Sequence, residues 1–117
     1  MKRYAAKLLF QFQVTVDGDA GRRRLCEERI IVLKAKSAGK ALTRAKQKGR
    51  LGQYRYTNSD GNPVAFQFLG VMELLCLDSG CEEDEVWYEI TQRILPKERA
   101  HRFIPPESAL EAIRNDE

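Results

Sequence analysis

The chain has 117 residues, 43% of them hydrophobic and 32% charged, with a formal net charge of +3 at pH 7. That length makes a single domain, 1–117, able to bury about two-thirds of its unfolded surface, and the composition excludes global disorder. The longest uncharged apolar run, residues 68–72, is far too short for a membrane-spanning helix, so no membrane partner is expected.

The small net charge conceals a strong polarity. Fifteen of the 20 basic residues lie in positions 1–56 against four acids, whereas positions 57–117 hold five basic residues and thirteen acids. The opening Met1-Lys2-Arg3 imitates a signal peptide, but Lys7, Gln11 and Gln13 interrupt the apolar run that would have to follow. A cytoplasmic location is the expectation. Three cysteines, an odd number in a chain large enough to fold without staples, point to reduced thiols, with Cys26 and Cys76 as small buried hydrophobes.

Residues 4–16 alternate strictly, with Tyr4, Ala6, Leu8, Phe10, Phe12, Val14 and Val16 on one parity. A period of two marks a long strand with one buried face. Turn residues Asp17-Gly18-Asp19-Ala20-Gly21 precede a second strand over residues 25–35, and a hairpin is the economical arrangement. Placing Val16 opposite Leu25 sets Phe10 against Ile31 and Leu8 against Leu33. The other face of this hairpin (Leu9, Cys26, Ile30 and Val32 among Lys7, Glu28 and Lys34) is too apolar for open solvent. A cover is expected there, either the C-terminal tail or a second molecule.

Ser37 is a good N-cap for a helix over residues 38–48 that ends at Gly49. Ala38, Ala41, Leu42 and Ala45 form its apolar stripe, and Lys36, Lys40, Arg44 and Lys48 its opposite row. A short strand near residues 53–57 follows, then a turn at Asn58-Ser59-Asp60-Gly61-Asn62-Pro63. Residues 64–77 form a long strand, bulged or bent at Gly70. An acidic loop, 78–85, leads to a last strand at 86–95 closed by Pro96. Beyond the core, 3–95, an extended tail, 96–117, carries a short helix at 107–114. The whole predicts an α+β fold: a mostly antiparallel five-stranded sheet, ββαβββ, with one helix packed on a face and a short C-terminal helix.

Tyr4-Ala5-Ala6-Lys7-Leu8-Leu9-Phe10, then Leu25-Cys26-Glu27-Glu28-Arg29-Ile30-Ile31, a Ser-Ala helix start and Gly70-Val71 resemble a family of small bacterial proteins, domain of unknown function 4288, across roughly residues 4–95. The resemblance implies a bacterial cytoplasmic protein and no particular activity. The loop Arg22, Arg23, Arg24 and the tail after Pro96 lie outside the recognised pattern.

Glu27 and Arg29 point to one side of a strand and Glu28 to the other, so the two carboxylates cannot converge as an acid–base pair. Glu28 is placed to pair across the strands with Lys7, and Arg29 either fixes the sheet edge or binds an anionic group with its planar fork. Cys26, Cys76, Cys81 and His101 lack a tight zinc knuckle, and no nucleophile or phosphate-loop motif stands elsewhere. No catalytic residue, metal or small-molecule cofactor is therefore expected. The first expectation is a non-enzymatic binding module, for protein–protein interaction or regulation, with another protein or a second copy as partner. One alternative is nucleic-acid binding through Lys40, Arg44 and Lys48, the loop Arg22, Arg23, Arg24, and the interleaved Tyr54 and Tyr56. The other is an immunity-type inhibitor acting through the acidic loop.

Overall fold

The computed structural model describes residues 1–115. Its framework is a four-stranded antiparallel sheet with one long helix on its front face. In chain order the elements are β1 (Lys2–Val14), β2 (Cys26–Ala35), α1 (Ala38–Leu51), β3 (Tyr54–Thr57), β4 (Pro63–Cys76), the one-turn helix α2 (Leu77–Gly80) and, after two short 3-10 turns, the one-turn helix α3 (Glu111–Arg114). The strand order β2-β1-β4-β3 puts the two longest strands in the middle. No helix among the described residues is long and apolar enough to cross a membrane.

The alternating parity of β1 decides the core. Tyr4, Ala6, Leu8 and Phe10 are buried beneath α1, together with Leu33 and Ala35 from β2 and Phe66 from β4. Burying a leucine or phenylalanine side chain contributes about 1.5–3 kcal/mol, so Leu8, Phe10 and Phe66, all fully enclosed, anchor the sheet. Phe10 and Phe66 stack with ring centroids 4.7 Å apart, and Phe12 and Tyr54 extend the cluster towards β3. The helix meets this face with small residues, Ala41, Ala45 and Gly49, which let its backbone approach closely. Ser37 caps it as expected, its Oγ accepting from the Lys40 amide at 3.2 Å.

Several expectations are corrected. The hairpin register is displaced by four residues: Ala6 lies opposite Ile31, Tyr4 opposite Leu33 and Phe10 opposite Glu27. The reversal comes earlier than a hairpin pairing Val16 with Leu25 requires: Asp17 and Gly18 both take positive φ (52° and 80°), and Val16 and Asp19 exchange both backbone hydrogen bonds, with residues 20–24 intervening before the β1–β2 ladder begins at Gln11–Cys26. An even displacement preserves parity, so the same side chains still face the core. The helix runs through Gly49 and is capped at Gly52. The bulge expected at Gly70 is present, as two irregularities of β4 that flank it rather than one. The register slips opposite Lys7/Leu8 and Leu9/Phe10, leaving Met72 and Leu69 as extra residues on either side of Gly70-Val71. Each slip reverses the parity, so the core face passes from Phe68 to Val71 to Leu74.

The fifth strand is absent, and the ββαβββ pattern becomes ββαββ. Residues 86–95 form no ladder with any strand. β1 and β4 are each paired on both sides, so an added strand has only the distant edges β2 and β3 to join. Residues 87–91 instead cross the back face beside Lys7, Met72, Glu73 and Leu75, enclosing a groove of about 510 Å³. Cys26 is exposed rather than buried, and Cys76 and Cys81 are partly covered. The expected C-terminal helix is split into a 3-10 turn at Glu107–Ala109 and α3.

Candidate functional site

The residues singled out in the sequence fall into three separate places. On the back face, Lys7 extends from the middle of β1, and its Nζ stands 3.5 Å from Glu28 of β2 and 3.1 Å from Glu89 of the crossing segment. The Trp87 ring lies over it at 5.9 Å. Hydrogen bonding to Glu89 is the largest reason this ammonium is held above its ordinary range; partial desolvation opposes it and Glu28 adds to it. The same bond holds the Glu89 carboxyl below the usual carboxylate range. The Trp87 indole N–H is buried with no hydrogen bond of good geometry, yet its proximity further favours the Glu89 carboxylate. Lys7 and Glu28 are therefore a structural clasp. Glu89 and Trp87 complete it, and nothing in their spacing announced that.

A second tie holds the acidic loop. The Arg3 amide and Nε donate to the Asp78 carboxylate at 3.0 and 3.1 Å, and its guanidinium reaches the carbonyls of Glu83 and Glu82. The Arg3 backbone bond, then its side chain, keeps Asp78 below the usual carboxylate range. Asp78 and the acidic loop are thus held at the start of β1, and Glu89 on the back face.

On the front face Arg29 is occupied. Its guanidinium carbon lies 4.7 Å from the Phe10 ring centroid and 5.8 Å from that of Phe66, while its Nε bonds the Glu27 carboxylate at 2.5 Å. A fork already engaged by a carboxylate and two rings is poorly placed to bind a free anion.

The third place is α1. Lys40, Arg44 and Lys48 are exposed along one row, and none of the four ion pairs among the described residues involves the helix. The row overhangs β2: the Arg44 guanidinium donates to the Lys34 carbonyl, and Lys48 lines a groove with Leu8, Arg29, Ile31 and Leu51. The other basic candidates lie elsewhere. Arg22 and Arg23 are exposed on the turn, and Arg24 is tied to the Gly21 carbonyl and to Gln11, whose parity belongs to the back face. Tyr54 and Tyr56 share the front face with ring centroids 5.9 Å apart, but on β3. That edge is three strand spacings, about 14 Å, from β2. The fold therefore separates the tyrosines from the helix row.

The possible metal ligands are separated too. Cys26 lies opposite Gln11 and Cys76 opposite Tyr4, seven residues apart along β1 or about 23 Å. Among the described residues no group of three histidine, cysteine or acidic side chains has metal-binding geometry.

What the fold leaves open is the β2 side of the sheet. With residues 87–91 in place, Ile30 is still 42% and Val32 47% exposed, and β2 is an edge strand over its ten residues.

No curated protein and no solved structure matches the chain. Residues 3–87, from the start of β1 through Trp87, match the model of a domain of unknown function, DUF4288, and the chain belongs to that family.

Proposed function

We propose that this is a non-enzymatic binding module whose partner is another protein, engaged through the β2 side of the sheet. The observation that carries this reading is incomplete cover: the chain lays residues 87–91 over Lys7 and leaves Ile30 and Val32 half exposed on a strand whose outer edge is unpaired. Apolar side chains grouped on a strand edge are a usual mark of an interaction surface. The test is capture of tagged full-length chain from its native lysate after nuclease treatment, beside the double variant Ile30→Glu with Val32→Glu. Both positions are half exposed at the sheet edge, so the variant should remain folded at some cost in stability, which a thermal melt checks before capture. A protein retained by the wild type and lost from the variant supports the reading; equal retention by both removes it.

Unpaired cations on α1, with Arg22 and Arg23, favour a second reading, nucleic-acid binding along the basic surface. It requires affinity for a single-stranded oligonucleotide that falls steeply with salt and is lost in Lys40→Glu with Arg44→Glu. A flat salt dependence removes it.

A further inference from the structure

The outer edge of β2 can be read atom by atom. The Phe12 amide donates to the Leu25 carbonyl at 2.9 Å, continuing the β1–β2 ladder by one pair. In an antiparallel ladder, bonded pairs alternate with non-bonded ones. The odd residues of β2 therefore bond to β1, and the amides and carbonyls of Cys26, Glu28, Ile30, Val32 and Lys34 face outward. The Arg44 bond to the Lys34 carbonyl confirms this direction independently. No other segment among the described residues pairs along this edge.

The two sides of the edge differ in chemistry. On the front, Arg44 and Lys48 overhang it and Lys40 continues their row along the helix, none of the three with an ion partner. On the back, Ile30 and Val32 are half exposed. A strand added here would place alternate side chains beneath the cations and the others beside the apolar pair. A second copy of β2 fits poorly, because twofold pairing would bring two such basic rows face to face.

Resting on the protein-binding reading, we infer that the occupant is an extended acidic segment of a partner protein, added as a fifth strand beside β2, with acidic side chains towards α1 and apolar ones towards Ile30 and Val32. Arg44 is the gate: it covers the Lys34 carbonyl in the free chain and turns to a partner carboxylate when the strand arrives. The charges on β2 itself, Glu28, Lys34 and the inward-facing pair Glu27 and Arg29, are devices that discourage indiscriminate strand pairing.

The probe is a capped synthetic peptide alternating glutamate and valine, titrated into the full-length chain while backbone amides are followed by NMR and hydrogen exchange. The expected result is selective protection of the Glu28, Ile30 and Val32 amides, weakened by salt. Affinity should fall roughly tenfold or more in Lys40→Glu with Lys48→Glu, as for loss of two rim charges. A lysine–valine peptide should not bind. Absence of binding at millimolar peptide, equal binding of the lysine–valine peptide, or protection of the same amides by concentrating the chain alone would overturn the inference, the last assigning the edge to a second copy. If capture still depends on Ile30 and Val32 while the peptide fails, the protein-binding reading survives and the acidic-strand inference does not.

Discussion

The ring of Phe68 fills the space that a side chain at position 49 would occupy: a Cβ on Gly49 would come within 2.6 Å of the ring's Cζ. The helix can cross β4 at this height only because residue 49 has no side chain. Gly49→Ala sets two effects in opposition. Alanine gains about 1 kcal/mol of helix propensity over glycine, and overpacking a fitted contact costs about 1–3 kcal/mol. A contact this short puts the cost at the upper end, so we expect a net loss of about 1–2 kcal/mol. Urea unfolding checks it, and Phe68→Leu in the same chain should recover part of the loss.

Lys7 and Glu89 give the crossing segment a signed pH dependence. Glu89 and Asp78 have folded values below the ordinary carboxylate range. Their contribution is present above that range and lost as pH falls through it, around pH 4 and below. Lys7 is raised, so its contribution holds below the ordinary lysine range and is lost only as pH climbs through and beyond it. Stability should therefore be flat near neutrality and decline in acid. Glu89→Gln should flatten the acid limb and expose the Trp87 indole to quenchers at neutral pH. Denaturant melts across pH, read by Trp87 fluorescence, test both statements.

Arg29 is expected to matter to the fold rather than to a ligand. Removing a guanidinium stacked on an aromatic face at a partly exposed site costs about 0.5–1 kcal/mol. Arg29→Ala should lower stability by about 1 kcal/mol once lost packing of its stem is included, and Arg29→Lys should recover less than half, since an ammonium cannot stack as the planar fork does. Thermal melts of the two variants decide this, and partner capture should be unchanged in both.

Cys26, exposed on β2, should react with a thiol reagent in the native state before the partly covered Cys76 and Cys81. Peptide mapping after brief labelling gives the order. Reaction of all three at one rate would mean that Cys76 and Cys81 are as accessible in solution as Cys26.

Much of this architecture is legible in the residues. The parity of β1, the cap at Ser37 and the turn at Asn58, whose Oδ1 accepts from the amides of Asp60 and Asn62, follow from local chemistry. Register is not legible in that way, because a slip of four leaves every side chain on its own face. Gly49 carries the usual signature of a helix stop, and only the position of Phe68 shows that it serves close approach instead. Residues 86–95 have strand-forming side chains but no free neighbouring edge, a property of the whole sheet that no local pattern contains. The same holds at the candidate site. The basic row on α1 is visible in its spacing, whereas its overhang of an open strand depends on how the helix crosses the sheet.

The strand order carries a consequence for how the molecule comes into being. β1 leaves the ribosome before the other strands, yet its central partner β4 follows at separations running from Val14–Val64 to Tyr4–Cys76. Until β4 is available, the nascent chain holds at most a two-stranded ribbon, and such ribbons are marginally stable in water. Long-range pairing of this kind slows folding, because the entropy of closing the intervening loop must be met before the contact forms. Through that interval Leu8 and Phe10 have no aromatic wall to close on, and the β4 side of β1 is itself an open edge. The newly made chain is therefore most exposed to misassociation just before residues 64–76 dock, a hazard the finished molecule no longer displays.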